Sequence, residues 1–358
     1  MIKPKRLKKG DKVAILCLSN GLLGMPFIKH ELDLGLKRLE EFGLIPVIMN
    51  NSLKDMDTLR NHPELRAKDL KEAFLSDDIK GIICAIGGDD TYKTIPYLME
   101  DKEFIEAVRK NPKLFTGFSD TTNNHLMLNK IGLNTFYGPC FLVDLAELDK
   151  EMLPYTKEYF LKYFMNEESF EIKSSKVWYY DRDDYSKKAL GTPRREKEEE
   201  HGFELLNGSG VVTGRLYGGC LESLYDAYTS ERHGDEREIY DKYNILPSLE
   251  EWSEKILFIE TSEEKMTPEK LEIVLNFFKK EKILQTVKGI IVGKPIDEVY
   301  YEEYKNVYKK VFEDIDTPVL YNINYGHSYP RCIIPYNINA TVDYDNKKIL
   351  IKERIFSD

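Results

Sequence analysis

Residues 11–49 read DKVAILCLSNGLLGMPFIKHELDLGLKRLEEFGLIPVIM, and this stretch decides the fold. It begins with an apolar run from Asp11 to Ser19, bounded by charge and by a turn signal, which is typical of a buried strand. Apolar residues then recur at helical spacing from Ile28 to Phe42, and Gly43 follows where a helix is expected to stop. A second strand-like run covers Ile45 to Met49. The stretch therefore predicts one strand–helix–strand unit.

The same alternation continues through the first half of the chain. A helical pattern from Glu64 to Leu75 leads to the strand-like run Gly81 to Ile86, and the apolar run Lys113 to Gly117 precedes a helical pattern from Asp120 to Asn129. Repeated alternation of this kind favours a mostly parallel sheet with helices on both faces, whose functional loops gather at the carboxyl ends of the strands. We expect a Rossmann-like α/β domain over residues 1–165.

The second half carries mixed strand and helix signals, which predicts a second domain over residues 166–358. Its last apolar run, Ile338 to Ile355, alternates as an antiparallel hairpin would, with the turn at Asp345-Asn346. Residues 182–201 are dense in charge and lack apolar periodicity, so they are predicted to form a solvated loop or insertion.

Composition narrows the class of protein. The 358 residues are enough for about two domains, and the 42% hydrophobic and 32% charged fractions are those of a globular chain. The net charge of −10 repels phosphate backbones, so no nucleic-acid polymer is expected as a partner. Five widely spaced cysteines without a C-x-x-C pair indicate buried thiols in a reducing compartment. Because no segment approaches the roughly 18–20 apolar residues that span a bilayer, we expect a soluble cytoplasmic protein without a membrane partner.

The segment Gly117-Phe118-Ser119-Asp120 lies between a strand pattern and a helical pattern. A serine at such a turn is raised clear of the sheet, and the N–H of Asp120 points into the same space from the start of the helix. Ser119 could therefore attack a carbonyl while this N–H binds the oxyanion. The alternative is that Ser119 only caps the helix. Thr121 stands where the G-x-S-x-G motif has its second glycine, so a standard α/β-hydrolase is not supported.

The glycine pair Gly87-Gly88 follows another predicted strand. Paired glycines let a backbone approach a ligand closely or adopt positive φ, which makes the N–H of Gly88 a candidate for the second oxyanion donor. An ordinary turn is the alternative. The segment matches neither G-x-G-x-x-G nor the phosphate-binding G-x-x-x-x-G-K-[ST] motif, and no cofactor is predicted.

Two further candidates lie at the ends of predicted strands in the second half. His327 follows the strand-like run Pro318 to Tyr321, on a loop shaped by a glycine and a proline; a structural histidine is the alternative. Glu260 closes the apolar run Ile256 to Ile259, where a carboxylate is costly unless a group such as an imidazolium pairs with it. A nucleophile, a base and an orienting acid thus each have a candidate. No cluster with metal-ligand spacing is present, so no metal is predicted.

Seven short segments, taken together, resemble the L,D-carboxypeptidase family of serine peptidases, which includes the microcin C immunity peptidases. They follow the family's order along nearly the whole chain: Pro4-Lys-Arg-Leu-Lys-Lys-Gly-Asp11, Gly87-Gly88, Gly117-Phe-Ser-Asp120, Phe136-Tyr-Gly-Pro139, Gly214-Arg-Leu-Tyr-Gly-Gly219, Leu257-Phe-Ile-Glu-Thr261 and Gly326-His327. The resemblance implies that Ser119 is the nucleophile, His327 the general base and Glu260 the residue that orients it. It also implies a parallel α/β domain joined to a β-rich C-terminal domain, with the triad between them, and a homodimer.

Within the family, four features look more like the microcin-immunity branch than the shorter murein-recycling enzymes: Gly87 to Thr91, Phe136 to Pro139, Glu260 to Glu263 and the long segment Trp178 to Gly210. Cys220 departs from the family pattern, because an asparagine often follows the Gly-Gly pair there. The sequence therefore does not decide whether the side chain at position 220 makes a polar contact with the substrate.

Exopeptidase action implies a cation that binds the substrate carboxylate. Lys265 and Arg331 lie near triad members in sequence and are candidates, with solvent exposure as the alternative for each. An aromatic platform would suit a nucleotide base, and Trp178, Tyr179 and Tyr180 offer one. Adjacent strand residues point in opposite directions, so at most one or two of them could face a ligand, and packing between domains is the alternative.

The predicted activity is hydrolysis of an amide near a free carboxylate by a Ser-Glu-His triad. The substrate expected from the resemblance is a peptidyl-nucleotide or similar acylated amino acid. The first alternative is L,D-carboxypeptidase action on a murein tetrapeptide. A second alternative, of another class, is a non-catalytic module that binds a small peptide or nucleotide.

Overall fold

The structure is a computed structural model that describes residues 1–357. Its strands are β1 (Lys12–Leu16), β2 (Ile45–Ile48), β3 (Ile79–Cys84), β4 (Leu114–Gly117), β5 (Phe136–Tyr137), β6 (Phe170–Ile172), β7 (Val177–Tyr179), β8 (Glu196–Glu198), β9 (Glu204–Asn207), β10 (Val211–Cys220), β11 (Lys255–Glu260), β12 (Gly289–Gly293), β13 (Val319–Ile323), β14 (Ile334–Pro335), β15 (Asn339–Asp343) and β16 (Lys348–Ile351). Its α-helices are α1 (Lys29–Glu41), α2 (Met56–Asn61), α3 (Pro63–Leu75), α4 (Ile95–Met99), α5 (Lys102–Lys110), α6 (Thr122–Ile131), α7 (Pro154–Leu161), α8 (Leu221–Thr229), α9 (Glu236–Lys242), α10 (Leu249–Trp252), α11 (Pro268–Lys280), α12 (Ile283–Thr286) and α13 (Tyr301–Val311).

The first sheet has six strands in the order β14-β5-β4-β3-β1-β2. The strands from the first half of the chain run parallel, and β14 joins antiparallel to β5. All four residues of β4 are buried, as expected for a parallel strand covered on both faces. The predicted stop of α1 is confirmed, since Gly43 adopts φ +82° and its N–H donates to the carbonyl of Glu40. The predicted parallel α/β fold of this half is therefore confirmed.

The second sheet has eight strands in the order β6-β16-β15-β10-β11-β12-β13-β9. Its centre, β10 to β13, is parallel, while the strands on both sides are antiparallel. The predicted C-terminal hairpin is present as β15 and β16. The sequence-based fold class, a parallel α/β part followed by a β-rich part, is correct. The boundary between residues 165 and 166 stays a prediction.

The two sheets are linked by the chain that follows β13. Strand β13 lies in the second sheet and β14 lies in the first, so residues 324–333 cross from one sheet to the other. His327 lies on this crossing segment. Its backbone position is therefore fixed by both sheets at once.

The prediction of a solvated loop for residues 182–201 is wrong in part. The segment contains β8, which pairs with β7, and the side chain of Arg194 is buried. The reason is the buried carboxylate of Glu147, which lies 2.5 Å from Arg194 Nε and 2.5 Å from Arg182 Nη2. A buried carboxylate needs such partners, and periodicity does not reveal them. Among residues 1–357, no helix is both long enough and apolar enough to cross a bilayer.

Candidate active site

Ser119 stands at the sharp turn between β4 and α6. Its φ is +64°, in the left-handed region that residues with a side chain rarely adopt, and such strain is often kept at functional sites. No side-chain capping bond is made at the start of the single 3₁₀ turn Ser119–Thr121 or of α6, so the alternative that Ser119 is a helix cap is wrong. The buried Ser119 N–H donates to the hydroxyl of Tyr137 at 3.0 Å, and its carbonyl accepts from Thr122 Oγ1 at 2.7 Å.

The glycine pair packs directly against this serine. A Cβ added at Gly87 would lie 2.8 Å from Ser119 Cβ, 2.9 Å from Ser119 Oγ and 3.4 Å from the backbone nitrogen of Asp120. Gly88 adopts φ +155°, and a Cβ there would lie 2.2 Å from Ser19 Oγ. Close approach of Gly87 to Ser119 and of Gly88 to Ser19, rather than an ordinary turn, thus explains why both positions are glycine. The roles of the Asp120 and Gly88 N–H groups as oxyanion donors stay predictions.

The side chain of Asp120 has a structural function. Its Oδ2 accepts the N–H of Thr91 at 2.9 Å, and its Oδ1 accepts from Asn123 Nδ2 at 2.6 Å. Burial raises the pKa of this carboxyl group, while hydrogen bonds from the Ser19 side chain and the Thr91 N–H oppose the rise. Asp120 therefore ties the start of α6 to the chain that follows the glycine pair.

Glu260 and His327 form a buried pair. Glu260, 1% exposed at the end of β11, places Oε2 at 2.8 Å and Oε1 at 3.1 Å from His327 Nδ1, and Oε2 also accepts the backbone N–H of His327. Gly326 is required for this approach, because a Cβ there would lie 2.3 Å from Glu260 Cδ and its φ is +76°. The predicted pairing of the two side chains is thus present.

Tyr137 is a site residue that the sequence analysis did not single out. Its buried hydroxyl donates to Glu260 Oε1 at 2.5 Å and accepts the N–H of Ser119 at 3.0 Å. The hydroxyl oxygen of Tyr137 thus connects the backbone of Ser119 to the carboxylate of Glu260. In the sequence, Tyr137 lies within the segment Phe136 to Pro139 that resembles the family, but this segment does not indicate that its hydroxyl contacts Glu260.

The second nitrogen of His327 is also occupied. Its Nε2 lies 2.8 Å from Oε2 of Glu263, whose side chain is 62% exposed. Burial disfavours a charged ring, but the carboxylates of Glu260 and Glu263 outweigh burial and raise the pKa of His327 to about 10. The hydrogen bond to His327 correspondingly lowers the pKa of Glu263 to about 2. In this arrangement the ring is an imidazolium at neutral pH.

A cavity of about 200 Å³ joins Ser119 to His327. It is lined by Asn20, Ile86, Gly87, Gly88, Phe118, Ser119, Val143, Asp181, Glu263, Ile296, His327, Tyr329 and Arg331. Ser119 and His327 therefore face the same space, with Glu260 behind the histidine. Residues that are more than two hundred positions apart in the sequence are brought to one site.

Arg331 lines this cavity with its charge already paired. Its Nη1 lies 2.8 and 2.9 Å from the two carboxylate oxygens of Asp144, and its Nη2 donates to the carbonyl of His327 at 3.3 Å. The side chain is fully buried, so the alternative of solvent exposure is wrong. Within the described chain, Arg331 Nε has no hydrogen-bond partner.

The other two proposed substrate contacts lie elsewhere. Lys265 Nζ forms a 2.8 Å ion pair with Asp297, and Trp178 is buried beside the ring of Tyr180 and the ammonium of Lys294. Of residues 1–357, neither Lys265 nor Trp178 is among those that line the Ser119 cavity. Trp178 thus packs within the second half of the chain, against Tyr180 and Lys294, and not between the two predicted domains.

Cys220 lies beside Glu260 and His327. One ligand atom from each of Cys220, Glu260 and His327 lies within 4.8 Å of the others, a grouping that could hold a metal ion and that sequence spacing did not indicate. Glu260 and His327, two of these three residues, already lie close together because they are hydrogen-bonded to each other. The thiol donates to Glu222 at 3.3 Å, so the position that often carries asparagine is occupied by a small, weak donor.

Comparison with known proteins is consistent with this site. The family model of the LD-carboxypeptidase N-terminal domain matches residues 13–138, and that of the LD-carboxypeptidase C-terminal domain matches residues 213–342. The chain is 28% identical to the microcin C7 self-immunity protein MccF of Escherichia coli over 82% of this chain and 79% of that protein. It is 27% identical to a "Probable murein peptide carboxypeptidase" of Bacillus subtilis over 98% of this chain and 94% of that protein.

A solved structure gives the same result. The MccF-like protein from Streptococcus pneumoniae, in complex with AMP, superposes with a TM-score of 0.89 at 45% identity, covering 95% of this chain and 98% of that chain. Both halves of the chain, each with its own sheet and its own part of the site, thus match one family. The chain belongs to the LD-carboxypeptidase family.

Proposed function

We propose that this chain is a serine carboxypeptidase in which Ser119, His327 and Glu260 act as nucleophile, general base and orienting acid. The observation that carries the proposal is the common cavity of Ser119 and His327, with Glu260 hydrogen-bonded to the far side of the imidazole. The strained turn at Ser119 supports it, because such strain is often kept at functional sites, and Gly87 adds no side chain that would cover the serine hydroxyl.

In the proposed reaction, His327 Nε2 takes the proton of Ser119 Oγ as the oxygen attacks the amide carbon. The N–H groups of Asp120 and Gly88 stabilise the oxyanion, and one such donor contributes about 3–4 kcal/mol to catalysis. The imidazolium then gives its proton to the leaving amine, and water hydrolyses the acyl-enzyme. Glu260 holds the ring in the needed tautomer and stabilises its charged form.

The substrate proposed is a peptidyl-nucleotide or a similar acylated amino acid. The support is the 45% identity to the MccF-like protein that was solved with AMP. For a substrate carboxylate, Arg331 is a better candidate than Lys265, because it lines the cavity and keeps its Nε hydrogen free. Action on murein tetrapeptide is the second candidate, favoured by the similarity to the Bacillus subtilis protein along nearly the whole chain.

The test offers purified protein an aminoacyl-nucleotide amide and a murein tetrapeptide, and follows release of the nucleotide amine or of D-alanine by chromatography. We expect nucleotide release, its loss in Ser119→Ala, and unchanged turnover in Ser175→Ala, which removes another buried serine hydroxyl. Turnover that survives in Ser119→Ala would refute the serine mechanism. Calorimetric binding of AMP without hydrolysis of either substrate would favour the non-catalytic binding module.

The proposal includes a cytoplasmic location and a homodimer. All five cysteines are buried free thiols, as expected of a protein in a reducing compartment. Sedimentation analysis of the purified chain tests the dimer directly, and a monomer at all concentrations would remove that part of the proposal.

A further inference from the structure

Glu263 binds the nitrogen of His327 that the proposed reaction uses. Glu260 holds Nδ1 at 2.8 Å and Glu263 holds Nε2 at 2.8 Å, so both ring nitrogens are paired with carboxylates. A ring bonded in this way donates two hydrogens and cannot accept the proton of Ser119. Glu263 also lines the cavity that holds Ser119, which places its carboxylate where a substrate must enter.

The two carboxylates are held very differently. Glu260 is buried and bonded at once to the His327 ring, to the His327 N–H and to the hydroxyl of Tyr137. Glu263 is mostly exposed, on the chain that follows β11, and its carboxylate forms an ion pair with Nε2 of the His327 ring. Moving Glu260 would break three bonds, whereas Glu263 can swing into water by side-chain rotation alone.

The other groups near His327 carry no free negative charge that could take the place of the Glu263 carboxylate. They are the Arg331 guanidinium, which is paired with Asp144, the Cys220 thiol at the end of β10, and the Phe118 ring, which meets the imidazole edge-on at a centroid distance of 5.0 Å. Burial raises the pKa of the Cys220 thiol well above its ordinary value, so this group is neutral. Glu263 is therefore the exposed anion that acts on the ring.

We infer that Glu263 is a positioning residue that keeps His327 charged and its Nε2 occupied until a substrate displaces it. The inference rests on the proposed triad. When Glu263 leaves, the proton on Nε2 passes to bulk water, since this nitrogen faces the open cavity. The neutral ring then accepts the hydrogen of Ser119. Substrate entry and activation of the base are thus one event.

The test compares Glu263→Gln and Glu263→Ala with wild type and with the control Glu264→Gln, whose exposed carboxylate pairs with Arg232 instead. The first readout is the ring titration of His327 by NMR in ¹⁵N-histidine-labelled protein, which does not depend on turnover. We expect the titration midpoint to fall by about 1 unit in both Glu263 variants and to stay unchanged in the control.

The second readout is kcat and KM between pH 5 and 10 with the nucleotide substrate. The acid limb of the pH profile of kcat/KM is expected to move to lower pH by about 1 pH unit. At a fixed pH on that limb, kcat/KM therefore rises roughly tenfold. An unchanged ring titration would overturn the inference. So would a raised KM with an unmoved acid limb, because that result would make Glu263 a substrate anchor. If no variant or wild type hydrolyses the substrate but the ring titration still falls, the proposed function fails and the control of His327 by Glu263 stands.

Discussion

The hydroxyl oxygen of Tyr137 joins the Ser119 backbone to the Glu260 carboxylate, and so connects the proposed nucleophile to the proposed Glu260–His327 pair. It accepts the N–H of Ser119 and donates to Glu260 Oε1, so Tyr137→Phe removes both bonds without changing the ring. Phenylalanine fills the same space, and the ring packing against Phe258 is kept at its 5.5 Å centroid distance. The change therefore tests the bridge rather than the packing.

The expected loss follows from the two bonds. A hydrogen bond to a charged group contributes about 1.5–3 kcal/mol, and a buried N–H left without a partner costs about 1–3 kcal/mol. We expect the free energy of unfolding to fall by about 3 kcal/mol. Because the turn at Ser119 loses one of its anchors, we expect kcat to fall roughly 100-fold, the cost of a misplacement near 1 Å. The carboxylate also loses a donor, so the pKa of His327 rises and the acid limb of kcat/KM moves to higher pH, opposite to the Glu263 variants.

Steady-state kinetics across pH and urea unfolding measure these effects. The control is Tyr163→Phe, which removes an equally buried hydroxyl that bonds Thr116 Oγ1 at 2.8 Å. The control is expected to lose stability while keeping its kcat. If Tyr137→Phe loses no more activity than Tyr163→Phe, the bridge has no part in catalysis and the reasoning is refuted.

Two further predictions concern the surroundings of the site. Gly87→Ala should lower kcat at least tenfold and the free energy of unfolding by about 1–3 kcal/mol, because the new Cβ would lie 2.8 Å from Ser119 Cβ and 2.9 Å from Ser119 Oγ; wild-type kcat in this variant would contradict the geometry. Glu147→Gln should cost about 3–5 kcal/mol of unfolding free energy at pH 7, since it removes the buried carboxylate that Arg182 and Arg194 share and leaves Arg194 with only the longer 3.2 Å ion pair to Asp181 among the described residues. Burial opposes ionisation of Glu147, but these arginines hold its pKa below the ordinary value. The stability that ionised Glu147 contributes is therefore complete above about pH 4.5 and is lost as the pH falls further. In urea unfolding, the difference in unfolding free energy between Glu147→Gln and wild type should be smaller at pH 4 than at pH 7. An equal difference at both pH values would refute the ion-pair explanation.

The strands and the three triad candidates could be predicted because each rests on a local pattern. A buried parallel strand is a short apolar run, and the residue that follows it lies at the functional edge of the sheet. Ser119 lies just after β4, Glu260 is the last residue of β11, and His327 lies on the loop that follows β13. The order of motifs along the chain then added a resemblance that periodicity alone could not supply.

Other features depend on contacts between distant residues, which local patterns do not carry. Tyr137 and Glu260 are 123 positions apart, and nothing near Tyr137 in the sequence indicates which carboxylate its hydroxyl meets. Arg194 lies in a segment whose charge density predicts exposure, yet it is buried because Glu147 is buried. For the same reason Arg331 was open to an assignment as an exposed cation, although Asp144 holds it inside.

The division of the site between two sheets has a mechanical consequence. Ser119 and Tyr137 belong to the first sheet, Glu260 ends a strand of the second, and His327 lies on the segment that crosses from β13 to β14. A small shift of one sheet against the other would change the Tyr137–Glu260 and Glu260–His327 distances together. Because hydrogen bonds weaken steeply with distance and angle, we expect the proposed nucleophile and base to align only when the sheets are fully docked. The site therefore forms as a result of tertiary packing, and any change that loosens the contact between the sheets should lower activity before it unfolds either sheet.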